Sequence, residues 1–228
     1  MRALGIDACR AGWVGVELDQ DRVVRVSLAT SLAELLAAAV EVVADDVAAT
    51  GVDIPLGFPT AGWRRADALA AARLGPLRSS VFRVPPRAVW AETDYAAANR
   101  RCRELTGGGL SVQSYGLRKR VLEANGLREA GRTLHEIHPE LCFATMNGAP
   151  LRHGKKSWTG QALRRALLAA RGIVVPDDCG PAGAAAPDDI LDAAAVAWSA
   201  MRVAEGGAFC LPDPPERDDQ GAPVAIWC

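Results

Sequence analysis

The chain has no apolar run long enough to cross a bilayer, no C-x-x-C pair and no internal repeat. A spanning helix needs about 20 consecutive apolar residues, so no membrane-embedded role is expected. The six cysteines, Cys9, Cys102, Cys142, Cys179, Cys210 and Cys228, are scattered through apolar or irregular segments. Their spacing argues against both a zinc site and a disulfide framework. The N-terminus runs into strand-like sequence without a charged-then-apolar leader. The expected setting is therefore a reducing cytoplasm.

What the chain does have is room for a core and an uneven distribution of charge. Its 228 residues suit a single domain carrying a large insertion. A net charge of −1 conceals strong segregation: residues 1–62 hold four Arg against nine acids, and residues 177–228 hold two Arg against ten. Residues 64–132 carry 14 bases and six acids, and residues 149–176 add six bases and no acid. A basic insertion beside acidic segments is the pattern expected of a protein that contacts a polyanion next to a metal-holding acidic core.

Apolar periodicity predicts three short strands over residues 2–8, 12–19 and 22–29, separated by tight turns and arranged as an antiparallel meander. Ser31 is the expected cap of a helix running through Val43, with Leu32, Leu35, Leu36, Ala39 and Val40 on its apolar face. Gly51 to Ile54 reads as a fourth strand stopped by Pro55. From residue 59 to 132, Ala/Arg-rich helical segments are broken by Pro85-Pro86 and by Gly107-Gly108-Gly109. A fifth strand is expected over 132–137, ended by Pro139, and a helix over 160–170. A helix from Asp189 to about Glu205 follows, with Asp188 as its expected N-cap and Leu191, Ala194, Ala195, Trp198 and Met201 on one face. The proline-rich acidic tail reads as irregular coil. The fold class is α/β, with a five-stranded mixed sheet in β-β-β-α-β order, flanking helices and a basic helical insertion.

Carboxylates recur at the ends of these elements. Asp7 closes the first strand inside an apolar run, where an unpaired carboxylate is costly to bury. Asp53 closes the fourth strand, and Asp189 and Asp192 share one side of the last helix's first turns. Magnesium prefers oxygen ligands, and acids gathered from distant parts of a chain suit a divalent site for phosphoryl chemistry. In His135-Glu136-Ile137-His138-Pro139-Glu140 the histidines are three apart, which is not the spacing of a helical zinc motif. Strand alternation puts Glu136 and His138 on one side, making Glu136 a further candidate ligand and His138 a group that positions water or phosphate. Arg87, Gln113, Lys119, Lys155 and Lys156 are the candidate substrate-binding residues, with Arg83 and Arg164 as further cations. Arg offers bidentate contact to phosphate and Lys a compact charge. Trp63, Trp90 and Trp158 are more readily assigned to the core than to base stacking.

Several blocks together resemble a known family. They are Gly5-Ile6-Asp7-Ala8-Cys9-Arg10-Ala11-Gly12-Trp13, Val52-Asp53-Ile54-Pro55-Leu56-Gly57, Ser79-Ser80-Val81-Phe82 with Pro85-Pro86-Arg87, Glu136-Ile137-His138-Pro139-Glu140, Lys155-Lys156, and Asp188-Asp189-Ile190-Leu191-Asp192-Ala193. In this order they resemble the domain-of-unknown-function family numbered 429, described as predicted nucleases of the RNase H-like fold. The resemblance implies an RNase H-like core. The D-x-x-D of the last helix is also similar to that of Holliday-junction resolvases, whose first-strand and fourth-strand acids correspond to Asp7 and Asp53. Those resolvases carry Glu on the fourth strand, and Asp53 is one methylene shorter, which shifts the position of a bound ion.

The function expected is a Mg²⁺- or Mn²⁺-dependent nuclease, with Asp7, Asp53, Glu136, Asp189 and Asp192 as catalytic and metal-ligating residues. Nucleic acid is the expected partner. Two alternatives remain open at the level of sequence. One is a phosphate-binding protein of the actin-like or sugar-kinase type, with Asp7 to Gly12 as a phosphate loop. The other is a nucleic-acid-binding module that kept the fold and lost the chemistry.

Overall fold

The computed structural model describes residues 1–41 and 47–228. Three strands open the chain, β1 (Arg2–Cys9), β2 (Gly12–Asp19) and β3 (Arg22–Ala29), and each pairs antiparallel with the next. Gly12 starts β2 with φ +148°, and a Cβ there would fall 2.0 Å from the Ala29 carbonyl oxygen, so the turn admits only glycine. Helix α1 (Leu32–Glu41) begins with the expected cap. The Glu34 amide donates to Ser31 Oγ and the Ser31 amide donates to Glu34 Oε2, both at 3.2 Å, a reciprocal capping box. Val43, the expected end of this helix, lies outside the described residues.

Strand β4 (Val47–Asp53) returns parallel to β1. The segment from 59 to 132 is helical as its pattern predicts. It contains α2 (Arg65–Leu74), a 3₁₀ turn over Gly75–Ser80, α3 (Arg87–Ala91), α4 (Tyr95–Thr106), α5 (Val112–Gly116) and α6 (Arg118–Glu129). Strand β5 (His135–Glu136) pairs parallel with β4. After it come α7 (Pro139–Asn147), α8 (Trp158–Ala169), α9 (Pro187–Ala204), β6 (Cys210–Arg217) and β7 (Pro223–Trp227). The result is an α/β protein whose five-stranded mixed sheet has the order β3-β2-β1-β4-β5. Among the described residues, no helix is long and apolar enough to cross a membrane.

Alternation along the central strands divides the interior into two cores. Leu4, Ile6, Val52 and Ile54 point to the face shared with Leu32 and Leu35 of α1 and with Val121 and Ala124 of α6. Ala3, Ala49, Val14 and Val16 point to the opposite face, which α9 covers with Ala193, Val196, Ala197 and Ala200. A Cβ on Gly5 would sit 2.0 Å from the Ala197 nitrogen and 2.2 Å from the Ala193 oxygen. The helix backbone therefore rests directly on β1. A Cβ on Gly51 would meet the Ile137 and Val196 side chains at 2.5 and 2.8 Å.

Several expectations are corrected. Helix α9 was expected to bury one stripe, yet Ala193, Val196, Ala197, Ser199 and Ala200 are buried as well, because its small residues let it sink onto the sheet. Asp188 is not the N-cap: the helix begins at Pro187 after Ala186, and proline at the first helical position needs no amide partner. The fifth strand is reduced to two residues, with Ile137 continuing to the Val52 carbonyl and bridging Trp227. The acidic tail is not coil but an antiparallel β6–β7 pair. Its prolines escaped the strand pattern because ladder pairing lapses between Leu211 and Glu216, where Pro212, Pro214 and Pro215 need supply no amide hydrogen.

The close approach of α9 to β1 makes a direct prediction. Gly5→Ala forces the helix backbone off the strand and is expected to cost about 3 kcal/mol or more, at the upper end for overpacking. Gly126→Ala, in open space on α6, is expected to gain roughly 0.5–1 kcal/mol from helix propensity. Urea unfolding of both variants measures the contrast, and a neutral Gly5→Ala would show that the helix is free to shift.

Candidate metal centre

Asp7 and Asp53 are the last strand partners of β1 and β4, in parallel register. Residues so paired project to the same side, and here that side is the one covered by α9. The helix contributes Asp192, one residue before the Ala193 oxygen that approaches Gly5. Carboxylate oxygens of Asp7, Asp53 and Asp192 all lie within 4.8 Å of one another. The convergence follows from the packing: the two glycines of β1 and β4 let the helix sit low enough for its acid to reach those of the strand ends.

Few hydrogen bonds offset the burial of these groups. Asp7 Oδ1 accepts from the Ala8 amide at 2.7 Å. Asp192 Oδ2 accepts from Lys155 Nζ at 2.5 Å, whereas Asp192 Oδ1 is buried without a partner. Lys155 Nζ is also 3.8 Å from Asp188 Oδ2. The ammonium thus contacts one of the three converging carboxylates, Asp192, together with Asp188, and the repulsion among the acids is only partly relieved.

The proton affinities reflect this balance. Loss of hydration raises the Asp7 pKa well above the usual carboxylate range, with the charges of Asp53 and Asp192 raising it further and Lys155 opposing. Asp53 is pushed from 3.8 to about 7, again chiefly by loss of hydration, with Lys155 opposing. Asp192 is raised to about 7 for the same reason, with Lys155 lowering and Asp53 and Glu140 raising it. The Lys155 ammonium is held more firmly than usual: burial disfavours its charge, but the attraction of Asp192 and Asp7 prevails. A divalent cation fits this donor set. All three groups are hard oxygen donors of the kind Mg²⁺ and Mn²⁺ select, and Asp192 Oδ1 is buried with no hydrogen-bond partner to offset its lost hydration.

The family model described as protein of unknown function (DUF429) matches residues 5–217. The chain belongs to that family. No curated protein and no solved structure matches it. In this DUF429 protein all three converging acids lie inside the matched span.

The structure sorts the remaining candidates by what surrounds them. Glu136 is not brought into the group of three. It is buried with Oε1 and Oε2 both accepting from Arg64, at 2.8 and 2.7 Å, and Oε2 also accepting from the Leu56 amide. Arg64 in turn binds Asp67, whose other oxygen takes the Val84 amide. This buried network fixes the segment leaving Asp53 to α2 and β5. Asp189 is half-buried and outside the 4.8 Å group, although its charge still raises the Asp7 and Asp53 pKa values. His138 Nε2 faces the Ser80 carbonyl at 3.2 Å, its Nδ1 is buried without a partner, and burial lowers its pKa.

Among the expected phosphate binders, Arg87 is engaged elsewhere. It forms a bidentate pair with Asp219, contacts Glu129 at 2.8 Å and lies over the Phe58 ring. Arg164 is fully buried against Glu140, and Arg83 lies over Trp63. Gln113, Lys119 and Lys156 are exposed, and Lys155 is the cation that reaches the acids. Sequence reasoning missed the roles of Arg64, Asp67 and Glu140. Glu140 has one oxygen on Arg164 and the other buried without a partner, and its charge reaches Asp53 and Asp192. Its place two residues after His138 in the quoted motif was the available signal.

Two predictions separate these roles. In metal-free protein Asp53→Asn removes repulsion, so the variant is expected to melt several degrees above wild type at pH 8. A raised folded pKa stabilises the fold below the unfolded value of 3.8, and this contribution is lost as the pH climbs through about 7. The gap between variant and wild type should therefore open across that interval and level off above it; a gap independent of pH would contradict the assignment. Glu136→Gln leaves the Arg64 charge underpaired and is expected to cost about 3–5 kcal/mol, as read by chemical denaturation, with Mn²⁺ binding by the folded fraction retained.

Proposed function

We propose that this protein is a divalent-metal-dependent hydrolase of phosphodiesters, a nuclease, with Asp7, Asp53 and Asp192 holding Mg²⁺ or Mn²⁺. The observation that carries the reading is the convergence of three carboxylates, from β1, β4 and α9, in a largely buried position where one ammonium does not neutralise them. The strand order supports an RNase H-like core: an antiparallel meander followed by a parallel return strand, with acids at the ends of the first and fourth strands. The six cysteines, all free, support the cytoplasmic setting that belongs to this reading.

When bound, the ion supplies Lewis-acid polarisation of a phosphoryl oxygen and lowers the pKa of bound water. The chain's own residues provide the rest. Asp7 and Asp53 are positioned by paired strands and Asp192 by a helix packed on them, so their oxygens are held before any ligand arrives. Lys155 shields the acids from one another and places positive charge where a phosphate must approach. Lys156, exposed beside it, is available to the next phosphate along a strand.

A second reading rests on Lys155 itself. An ammonium at 2.5 Å from Asp192 could stand in for a metal permanently, leaving a nucleic-acid-binding module without turnover. The two readings diverge on addition of metal. On the hydrolase reading Mn²⁺ raises the melting temperature of the wild type, by ligand linkage, and supports cleavage of an oligonucleotide. Asp7→Asn abolishes both while preserving the fold by circular dichroism, and Lys155→Ala keeps the Mn²⁺-dependent rise. Absence of any Mn²⁺ effect on the wild type would favour the lysine-neutralised module.

A further inference from the structure

The six tryptophans are treated unequally. The Trp13 ring lies under Arg120 and its Nε1 donates to Glu123. Trp63 is covered by Arg83, and Trp90 is buried beside Phe58 with its Nε1 on the Pro85 carbonyl. Trp198 is flanked by Arg171 and Arg202, and Trp227 meets the edge of His135. Trp158 is 87% exposed. Among the described residues no ring, cation or hydrogen-bond acceptor engages it.

Its position gives that exposure meaning. Trp158 is the first residue of α8, three residues after the Lys155 that binds Asp192. Three residues span at most about 11 Å, so the start of α8 is tied closely to the lysine that reaches the acidic centre. The intervening loop is held firmly. The Ser157 amide and hydroxyl both donate to the Gly154 carbonyl, at 3.0 and 2.8 Å, and Ser157 Oγ accepts from the Gly160 amide. Beneath it the fully buried Arg164 donates to the His153 and Gly160 carbonyls. A Cβ on Gly160 would lie 2.1 Å from the Gly154 oxygen, so helix and loop close tightly on each other. Arg152 and Lys156 precede the ring in sequence and are exposed.

We infer that Trp158, with Arg152 and Lys156, forms a stacking platform that selects an unpaired nucleotide and presents its neighbouring phosphate to the Asp7–Asp53–Asp192 centre. The inference deepens the hydrolase reading and rests on it for the location of the scissile phosphate. An exposed aromatic face on a rigid basic loop matches a base and its phosphate at once, because every base offers a π-face and stacking tolerates any sequence. A paired duplex has its base faces occupied by neighbouring bases, so the platform discriminates against it.

The test uses the full chain with Ca²⁺ and fluorescent oligothymidylate, oligouridylate and a duplex of matched length. Wild type is expected to bind both single strands more tightly than the duplex. Trp158→Ala should weaken single-strand binding about tenfold, within the range for loss of one stacked base, and leave duplex binding unchanged. Trp158→Phe should restore most of the loss. The oligothymidylate and oligouridylate arms distinguish DNA from RNA as the source of the unpaired base. The Mn²⁺-dependent melting shift, which reports the acids alone, should be the same in all three proteins. If that shift is absent but binding depends on the aromatic ring, the hydrolase reading falls and the stacking platform stands. Wild type without oligonucleotide binding, or Trp158→Ala indistinguishable from wild type, overturns the platform. So does self-association that disappears in Trp158→Ala without oligonucleotide binding, since the ring then covers a second copy of the chain.

Discussion

The backbone of α9 lies on β1 with no side chain between them at Gly5, and the candidate centre depends on that contact. A methyl group at position 5 would overlap both Ala193 and Ala197. Further along the interface, Gly51 leaves space filled by Val196 and Ile137. A helix held off by ordinary side chains would sit nearer the usual spacing of packed layers, about 10 Å, and Asp192 would be carried away from the strand ends. The alanine-rich sequence of α9 is thus not merely a good helix former. It permits a carboxylate on the helix to share space with carboxylates on two strands.

That arrangement concentrates charge that the fold does not neutralise. Removing a carboxylate from water costs free energy unless a partner compensates, and the centre supplies one lysine for three acids. The contrast with the Arg64 network is instructive. There Glu136 and Asp67 are just as buried, but four hydrogen bonds from one guanidinium and two from backbone amides satisfy them. The Arg64 network looks like structure because its polar groups are matched. The Asp7–Asp53–Asp192 group keeps an orphaned oxygen, and burial pushes both Asp53 and Asp192 up to about 7.

Much of the architecture was legible because it depends on local periodicity. The three strands, the Ser31 cap and the fourth strand follow directly from apolar spacing and turn residues, and Asp7 and Asp53 stand out as acids at the ends of apolar runs. The choice between Asp189 and Asp192 was not legible, since both lie near one side of the helix and only the packing decides which reaches the sheet. Glu136 illustrates the same limit. Strand alternation correctly puts it inside, but a buried carboxylate beside a catalytic acid and one beside a buried arginine have the same sequence signature. Trp158 was assigned to the core by the usual behaviour of tryptophan, and no local pattern distinguishes a ring that packs from one that is displayed.

The segregation of charge along the chain takes on a different meaning in three dimensions. The basic insertion and the acidic tail, far apart in sequence, meet: Arg87 binds Asp219, Arg128 binds Asp218, and Glu216 accepts from the Arg65 and Ala66 amides. These contacts tie β6 and its following turn to the helical segments of residues 64–132. Within that basic segment, ion pairs engage Arg64, Arg87, Arg101 and Arg128. Residues 149–176 contain no acid, Arg152 and Lys156 remain exposed, and Lys155 leans onto the acidic centre. The positive charge that reaches the three carboxylates comes from Lys155, in the loop before α8.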